Sequence, residues 1–110
     1  MVFEELSGFT KAVLRLLDDG SYAELQYSLA ERPDAGPVIA RSGGLRKIRW
    51  ARSGGGKRGG VRVIYYWWME GSGILLADIF PKNEKENLSA AELAALRKKL
   101  EEWKNEKATR

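Results

Sequence analysis

One stretch in the middle of the chain restricts the possible folds more than any other. It is Gly44–Trp68, and it reads GLRKIRWARSGGGKRGGVRVIYYWW. Apolar residues recur at strand spacing on both sides of a glycine-rich segment, which predicts two β-strands joined by a basic loop. The strands are expected at roughly Leu45–Ala51 and Val61–Met69. Because successive side chains of a strand point to opposite faces, Lys47 and Arg49 share one face of the first strand.

The second of these strands is apolar on both faces. One face carries Tyr65 and Trp67, and the other carries Arg62, Ile64 and Tyr66. A strand of this kind is typically central in a sheet and covered on both sides. Arg62 is the only charged residue of this strand and lies near its loop end. The strand therefore predicts an apolar sheet surface with positive charge at one edge. The aromatic residues are able to stack on nucleobases, but a core position is the alternative for most of them.

The first third of the chain predicts two helices. Apolar residues recur at helical spacing over Gly8–Leu17, and Gly20 is a suitable residue to follow the end of that helix. Ser21 and Glu24 form a capping box that predicts the start of a second helix, which stops before Pro33. The short connection predicts a helical hairpin that covers one face of the sheet.

The last part of the chain predicts a third strand and a further helix. The strand is expected at Ile74–Phe80 and continues the hairpin as an antiparallel meander. Ser89 and Glu92 form a second capping box, and leucines at helical spacing extend that helix to Lys104 or beyond. Met1–Leu6 fits either a short edge strand or a frayed start.

Length and composition indicate one cytoplasmic domain. We expect residues 1–110 to form a single α+β domain, in which two N-terminal helices pack on an antiparallel sheet of three or four strands with a C-terminal helix. No apolar run reaches the ~18 residues of a membrane span, and the N-terminus lacks the basic region of a signal peptide. The absence of cysteine suits a reducing compartment.

The cations are concentrated in the middle of the chain. Residues 35–69 carry eight bases and no acid, whereas residues 1–34 carry seven acids and three bases, and residues 70–110 carry eight of each. A cationic block on a sheet is typical of a surface that binds a polyanion. The alternative is a solvated basic edge that prevents strand-to-strand aggregation.

Three of these cations are candidates for chemistry. If the two strands pair, Lys47, Arg49 and Arg62 can converge near one end of the sheet. A cluster of this kind can hold a phosphate and stabilise the negative charge that develops on it. The chain has no histidine, so a general acid or base would have to be a lysine, arginine, tyrosine, serine or carboxylate. A lysine among other cations loses its proton more readily than an isolated one. Phosphate anchoring without catalysis is the alternative.

The glycine-rich loop is a second candidate contact with nucleic acid. It lacks the GK[ST] sequence of a phosphate-binding loop and does not precede a helix, so it is a poor match to a nucleotide-hydrolysing site of that kind. A basic loop is instead suited to the backbone of a nucleic acid. The candidate nucleic-acid-binding residues are Arg46, Arg52, Lys57 and Arg58.

The carboxylates do not suggest a metal. Asp78, Glu84 and Glu86 form no recognisable ligand set, and the cationic block contains no acid. We therefore expect neither a metal ion nor another cofactor.

These motifs resemble those of a known family. G-L-R-K-I-R at 44–49, G-K-R-G-G-x-R-x-I-Y-Y at 56–66 and P-K-N-E at 81–84, followed by a leucine-bearing helix, are similar to the HigB-type branch of the RelE toxins. These are the toxic halves of bacterial type II toxin–antitoxin pairs. The resemblance implies a small α+β fold and an endoribonuclease that cuts mRNA in the ribosomal A site. It also implies attack by the 2′-OH without a metal, and a cognate antitoxin, the ribosome and mRNA as partners.

The resemblance also implies roles for individual residues. Lys47 and Arg49 match the paired basic positions of the K-I-K/R strand, and Arg62 matches a phosphate-binding arginine of the next strand. Lys82 lies near a basic position that follows the last strand. Classical RelE proteins place a tyrosine in the C-terminal segment. This chain has none after Tyr66, so the resemblance implies that Tyr66 or a lysine serves as general base.

Two other functions fit parts of the pattern. Related ParE-like toxins of the same superfamily poison DNA gyrase and cleave no RNA, although they typically lack the full set of cations. A nucleic-acid-binding module without catalysis would bind RNA with a steep dependence on salt.

Overall fold

Four strands form one sheet in the computed structural model of the protein, which describes residues 1–51, 60–70 and 72–109. The elements are β1 Val2–Glu5, α1 Ser7–Leu16, α2 Asp19–Glu31, β2 Arg46–Trp50, β3 Val61–Trp68, β4 Gly73–Pro81 and α3 Ala90–Ala108. The strand order is β1-β4-β3-β2. The predicted antiparallel meander of β2, β3 and β4 is confirmed. The N-terminal segment is an edge strand that pairs in parallel with β4, so the complete sheet is mixed.

The first two helices cover one face of the sheet, as predicted. Phe9 from α1 and Leu25 and Leu29 from α2 are fully buried against β3 side chains that include Val63 and Tyr65. The ring of Phe9 lies 5.8 Å from that of Tyr22, which joins the two helices. The alternation of β3 therefore directs its odd-numbered residues to this core.

The C-terminal helix covers the other face. Leu96, Leu100 and Trp103 of α3 are buried there against Ile64 and Phe80, among other residues of the sheet. This arrangement confirms that β3 is central and covered on both sides. On the even-numbered face of β3, Arg62 contacts Glu86 in the segment before α3, whereas Tyr66 and Trp68 pack against Trp103 in the C-terminal half of α3.

The start of α2 differs from the prediction. The helix begins at Asp19, and the side chain of Asp18 caps it by accepting a hydrogen bond from the amide of Ser21 at 2.7 Å. The predicted capping box at Ser21 and Glu24 is wrong, because Asp18 supplies the acceptor three residues earlier. Gly20 consequently lies inside the first turn of α2 and does not follow the end of α1.

The predicted capping box of α3 is confirmed. Ser89 Oγ accepts a hydrogen bond from the amide of Glu92 at 3.1 Å, and Glu92 Oε1 accepts one from the amide of Ser89 at 2.8 Å. Lys85 Nζ also donates to Glu92 Oε2 at 2.5 Å. These contacts fix the segment between β4 and α3, which is the segment that faces Arg62. Over the described ranges, no helix has both the length and the apolar character needed to cross a membrane.

Candidate functional site

Strand pairing brings the predicted basic residues together. Arg49 of β2 is the direct cross-strand partner of Arg62 of β3, and Lys47 lies two residues along β2, opposite Ile64. Directly opposed residues of an antiparallel pair share a face, with their Cβ atoms about 5 Å apart. The three cations therefore stand at one end of the sheet, on the face that α3 covers further along.

Arg62 is the most deeply placed of these residues. Its side chain is 3% exposed, although it carries a full charge. Its Nε and Nη2 both donate to Glu86 Oε2, at 3.2 and 2.7 Å. Buried charges are stable only when they are paired, so Glu86 is what allows an arginine to occupy this position in β3.

Glu86 stands at the centre of a larger group of cations. The hydrogen bonds from Arg62 hold the pKa of Glu86 below its ordinary value, and the charges of Arg62, Arg49 and Lys82 act in the same direction. Lys82 follows β4 and is anchored by its amide, which donates to the carbonyl of Gly60 at 3.0 Å. The structure thus brings Lys82 to the same carboxylate as the residues of β2 and β3.

Lys47 completes the group. Its Nζ donates to Asn87 Oδ1 and lies 3.5 Å from the backbone carbonyl of Glu86. We use the name cation cluster for Lys47, Arg49, Arg62 and Lys82. These residues come from β2, β3 and the segment after β4. Arg49, Arg62 and Lys82 act on the carboxylate of Glu86, and Lys47 contacts the backbone of the same segment.

Tyr66 is not brought to the cation cluster. It shares the face of Arg62, but it lies four residues further along β3, which is about 13 Å in a strand. Its ring makes an edge contact with Trp103 at 6.2 Å between centroids, and Lys104 Nζ lies 4.6 Å from its ring centroid. Gly44 passes close to the same ring with a positive φ of 109°, where an added Cβ would lie 3.0 Å from Tyr66 Cε1. Tyr66 is therefore surrounded by packing contacts.

Arg46 has a structural position. Its Nη1 donates to the carbonyls of Gly36 at 2.8 Å and Asp34 at 3.3 Å, and its guanidinium lies 5.9 Å from the ring centroid of Trp67. These contacts place it on the face opposite the cation cluster. The other three predicted nucleic-acid-binding residues lie outside the described residues: Arg52, Lys57 and Arg58.

The aromatic residues of β3 belong largely to the core. Tyr65 is fully buried, and its hydroxyl donates to the carbonyl of Pro33 at 2.7 Å and accepts from the amide of Gly36 at 2.9 Å. Burial raises the pKa of Tyr65. Trp67 and Trp68 are half-buried on opposite faces. The alternative of a core position is thus correct for Tyr65, while Trp67 and Trp68 pack against the two cores with part of each ring exposed.

An open groove borders the cation cluster along the outer side of β2. Lys47 and Arg49 lie beside it, and its apolar part includes Pro37, Ile48 and Trp50. Cations next to an apolar surface suit a nucleotide, because the cations can bind its phosphate and the apolar surface can contact its base. Within the described part of the chain, no group of three or more acidic residues is placed to hold a metal ion.

Comparison with known proteins gives a matching family model and similar solved structures. Residues 27–110 match the family model described as RelE toxin of the RelE / RelB toxin–antitoxin system. The fold is similar to that of an arginine-to-alanine double mutant of the E. coli toxin RelE in the free state, with a TM-score of 0.56 and 16% sequence identity. The similarity covers 89% of this chain and 94% of that one. At this identity the structural match concerns the fold alone.

Proposed function

Since the chain belongs to the RelE toxin family, we propose that it is a HigB-type toxin of a type II toxin–antitoxin pair that cuts mRNA in the ribosomal A site. The cutting would stop translation. The proposed partners are the translating ribosome with its mRNA and a cognate antitoxin that neutralises the toxin in the cytoplasm.

The observation that carries this proposal is the convergence of the cation cluster. Arg49 and Arg62 are cross-strand partners, and Lys82 acts on the same carboxylate as both of them. A phosphodiester placed among these groups would meet positive charge from three segments of the chain. Such fixed cations favour a transition state in which negative charge grows on the phosphate oxygens.

The proposed reaction is attack by the RNA on itself. The 2′-oxygen loses its proton to a base and bonds to the adjacent phosphorus, and the bond to the 5′-oxygen breaks. The departing 5′-oxygen takes up a proton, so the products are a 2′,3′-cyclic phosphate and a 5′-hydroxyl. Arg49 and Arg62 stabilise the negative charge that grows on the non-bridging phosphate oxygens, and Lys82 adds a further positive charge beside them.

Lys47 is the strongest candidate for the base. It stands at the cation cluster, and its described contacts are with an amide oxygen and a backbone carbonyl, so no carboxylate holds its proton. Tyr66, the other candidate, lies about 13 Å along β3 from Arg62. The chain has no histidine, so we assign the proton transfer to Lys47 because of its position at the cation cluster.

Primer extension on a defined mRNA tests the proposal directly. The purified chain is added to a reconstituted translation system, to the same system without ribosomes, and to the naked mRNA. We expect cuts within codons only where ribosomes translate. Cuts on naked RNA would identify a ribosome-independent ribonuclease. Absence of cuts in every condition, together with inhibition of DNA supercoiling, would identify a gyrase poison.

A further inference from the structure

The arginine proposed to hold the phosphate is almost inaccessible in the free protein. The side chain of Arg62 is 3% exposed, whereas that of Glu86, which receives its hydrogen bonds, is 54% exposed. A phosphate that approaches from solvent meets the carboxylate before it meets the guanidinium. Contact between Arg62 and RNA therefore requires Glu86 to move.

From this relationship we propose that Glu86 occupies the position of the substrate phosphate in the free toxin and is displaced when RNA binds. The proposal builds on the proposed function, because it takes the cation cluster as the phosphate site. Glu86 is then a positioning residue. Before RNA binds, Glu86 keeps Arg62 paired and oriented. When RNA binds, Glu86 moves away and the phosphate takes its place as the partner of Arg62.

A carboxylate and a phosphate form the same kind of hydrogen bonds with a guanidinium. Both present oxygens that accept from adjacent N–H groups in the plane of the fork. Arg62 uses Nε and Nη2, and both donate to a single oxygen of Glu86. A phosphodiester can take over these two donors and also approach Arg49 and Lys82, whose charges already act on Glu86.

Glu86 can leave without disturbing the contacts that hold its segment in place. The amide of Glu84 donates to the carbonyl of Pro81 at 3.1 Å, Lys85 pairs with Glu92, and Asn87 accepts from Lys47. None of these bonds uses the Glu86 side chain. Rotation of that side chain toward solvent would therefore expose Arg62 while the backbone on both sides stays fixed.

Arg62 itself has little freedom to move. It lies in the central strand and pairs with Arg49 on one side and Phe80 on the other. Its guanidinium would be costly to leave unpaired at this depth. Replacement of the Glu86 carboxylate by an RNA phosphate is consequently the simplest way for Arg62 to bind RNA. Because Glu86 competes for Arg62, it lowers the apparent affinity of the site for phosphate.

The test is a titration of the purified 110-residue chain with inorganic phosphate, followed through the proton–nitrogen NMR signal of Arg62 Nε. Loss of that signal in Arg62→Lys gives its assignment. The parent is compared with Glu86→Gln, which keeps an oxygen that can accept from Arg62 but removes the negative charge. Glu84→Gln is the matched control, because Glu84 is exposed, lies two residues away, and has no side-chain bond among the described residues.

We expect phosphate to shift the Arg62 Nε signal in all three proteins. Removal of a competing anion raises the fraction of open sites, so Glu86→Gln should bind phosphate about threefold to tenfold more tightly than the parent. Glu84→Gln should change the affinity by less than about twofold, since it alters only a screened charge.

Three results would overturn the inference. They are equal tightening in both variants, weaker binding in Glu86→Gln, and an Arg62 Nε signal that phosphate does not move. The assay contains neither ribosomes nor RNA cleavage. Failure of the chain to cut mRNA would therefore contradict the proposed function while leaving the exchange of anions at Arg62 intact.

Discussion

Arg49 and Arg62 stand directly opposite each other on neighbouring strands of the sheet. Like charges in this relationship are unfavourable, and a sheet selected only for stability would not place them there. Glu86 offsets part of the repulsion through its hydrogen bonds with Arg62. The pair fits the proposed phosphate site, where a concentration of positive charge would favour an anion and reduce the stability of the fold.

Replacement of one member should separate these two effects. We expect Arg49→Gln to increase the free energy of unfolding by about 0.5 kcal/mol, because it removes the cross-strand repulsion. The same change should slow mRNA cleavage, because a charge near the phosphate is lost. Urea denaturation and primer extension measure the two quantities. Arg15→Gln, an exposed change in α1, is the control, and a loss of stability in Arg49→Gln alone would contradict the account.

The sheet could be predicted because its sequence carries a clear period. Alternation along β2 and β3 assigns Lys47, Arg49 and Arg62 to one face, and that assignment depends only on the geometry of a strand. The apolar character of both faces of β3 made its central position predictable. The separation of Tyr66 from Arg62 also follows from the sequence, because four residues of a strand span about 13 Å. The contacts of Tyr66 with Trp103 and Lys104 do not, because no period relates β3 to α3.

Glu86 could not be predicted from its surroundings in the sequence. It lies in a connecting segment, where no period relates it to Arg62, and the two are 24 residues apart along the chain. Their contact depends on how the Ser89 cap and the Lys85 pair fold that segment back onto β3. The start of α2 was predicted wrongly for a local reason, since Asp18 and Ser21 are both suitable caps and the sequence does not rank them.

The cap of α3 should contribute measurably to stability. Ser89→Ala removes the side-chain acceptor for the amide of Glu92, and we expect the free energy of unfolding to fall by about 1 kcal/mol. Ser89→Asp keeps an acceptor at this position and should restore most of the loss. Thermal or urea unfolding gives the comparison, and an unchanged free energy in Ser89→Ala would show that the cap is not needed.

Acid should weaken the attachment of the same helix. The hydrogen bond from Lys85, followed by that from the amide of Ser89, lowers the pKa of Glu92 from 4.5 to about 2. A carboxylate whose pKa is lowered by folding stabilises the protein above its unfolded pKa, and this contribution is lost as the pH falls toward the folded value. The stability difference between the parent and Glu92→Gln should be constant above about pH 5 and should shrink toward about pH 3. A difference that does not change with pH would contradict the assignment.

We expect Tyr66 to contribute to the stability of the fold through the packing of its ring. Tyr66→Ala removes the contacts with Trp103 and Lys104, and we expect a loss of about 2–3 kcal/mol in the free energy of unfolding. Tyr66→Phe keeps the ring and should retain nearly all of that stability. Denaturation of both variants tests this packing role. If Tyr66→Phe remained fully stable but lost cleavage, its hydroxyl would instead take part in the reaction.

The central claim is that the cation cluster cuts mRNA, and the cleavage rate of Arg62 variants tests it most directly. The rate is measured under single-turnover conditions on programmed ribosomes, with circular dichroism as the check on folding. We predict that Arg62→Ala is slower by about a hundredfold or more, and that Arg62→Lys recovers only part of the rate because it lacks the fork. Arg15→Ala should cut at the parental rate. A folded Arg62→Ala protein that cuts as fast as the parent would contradict the account.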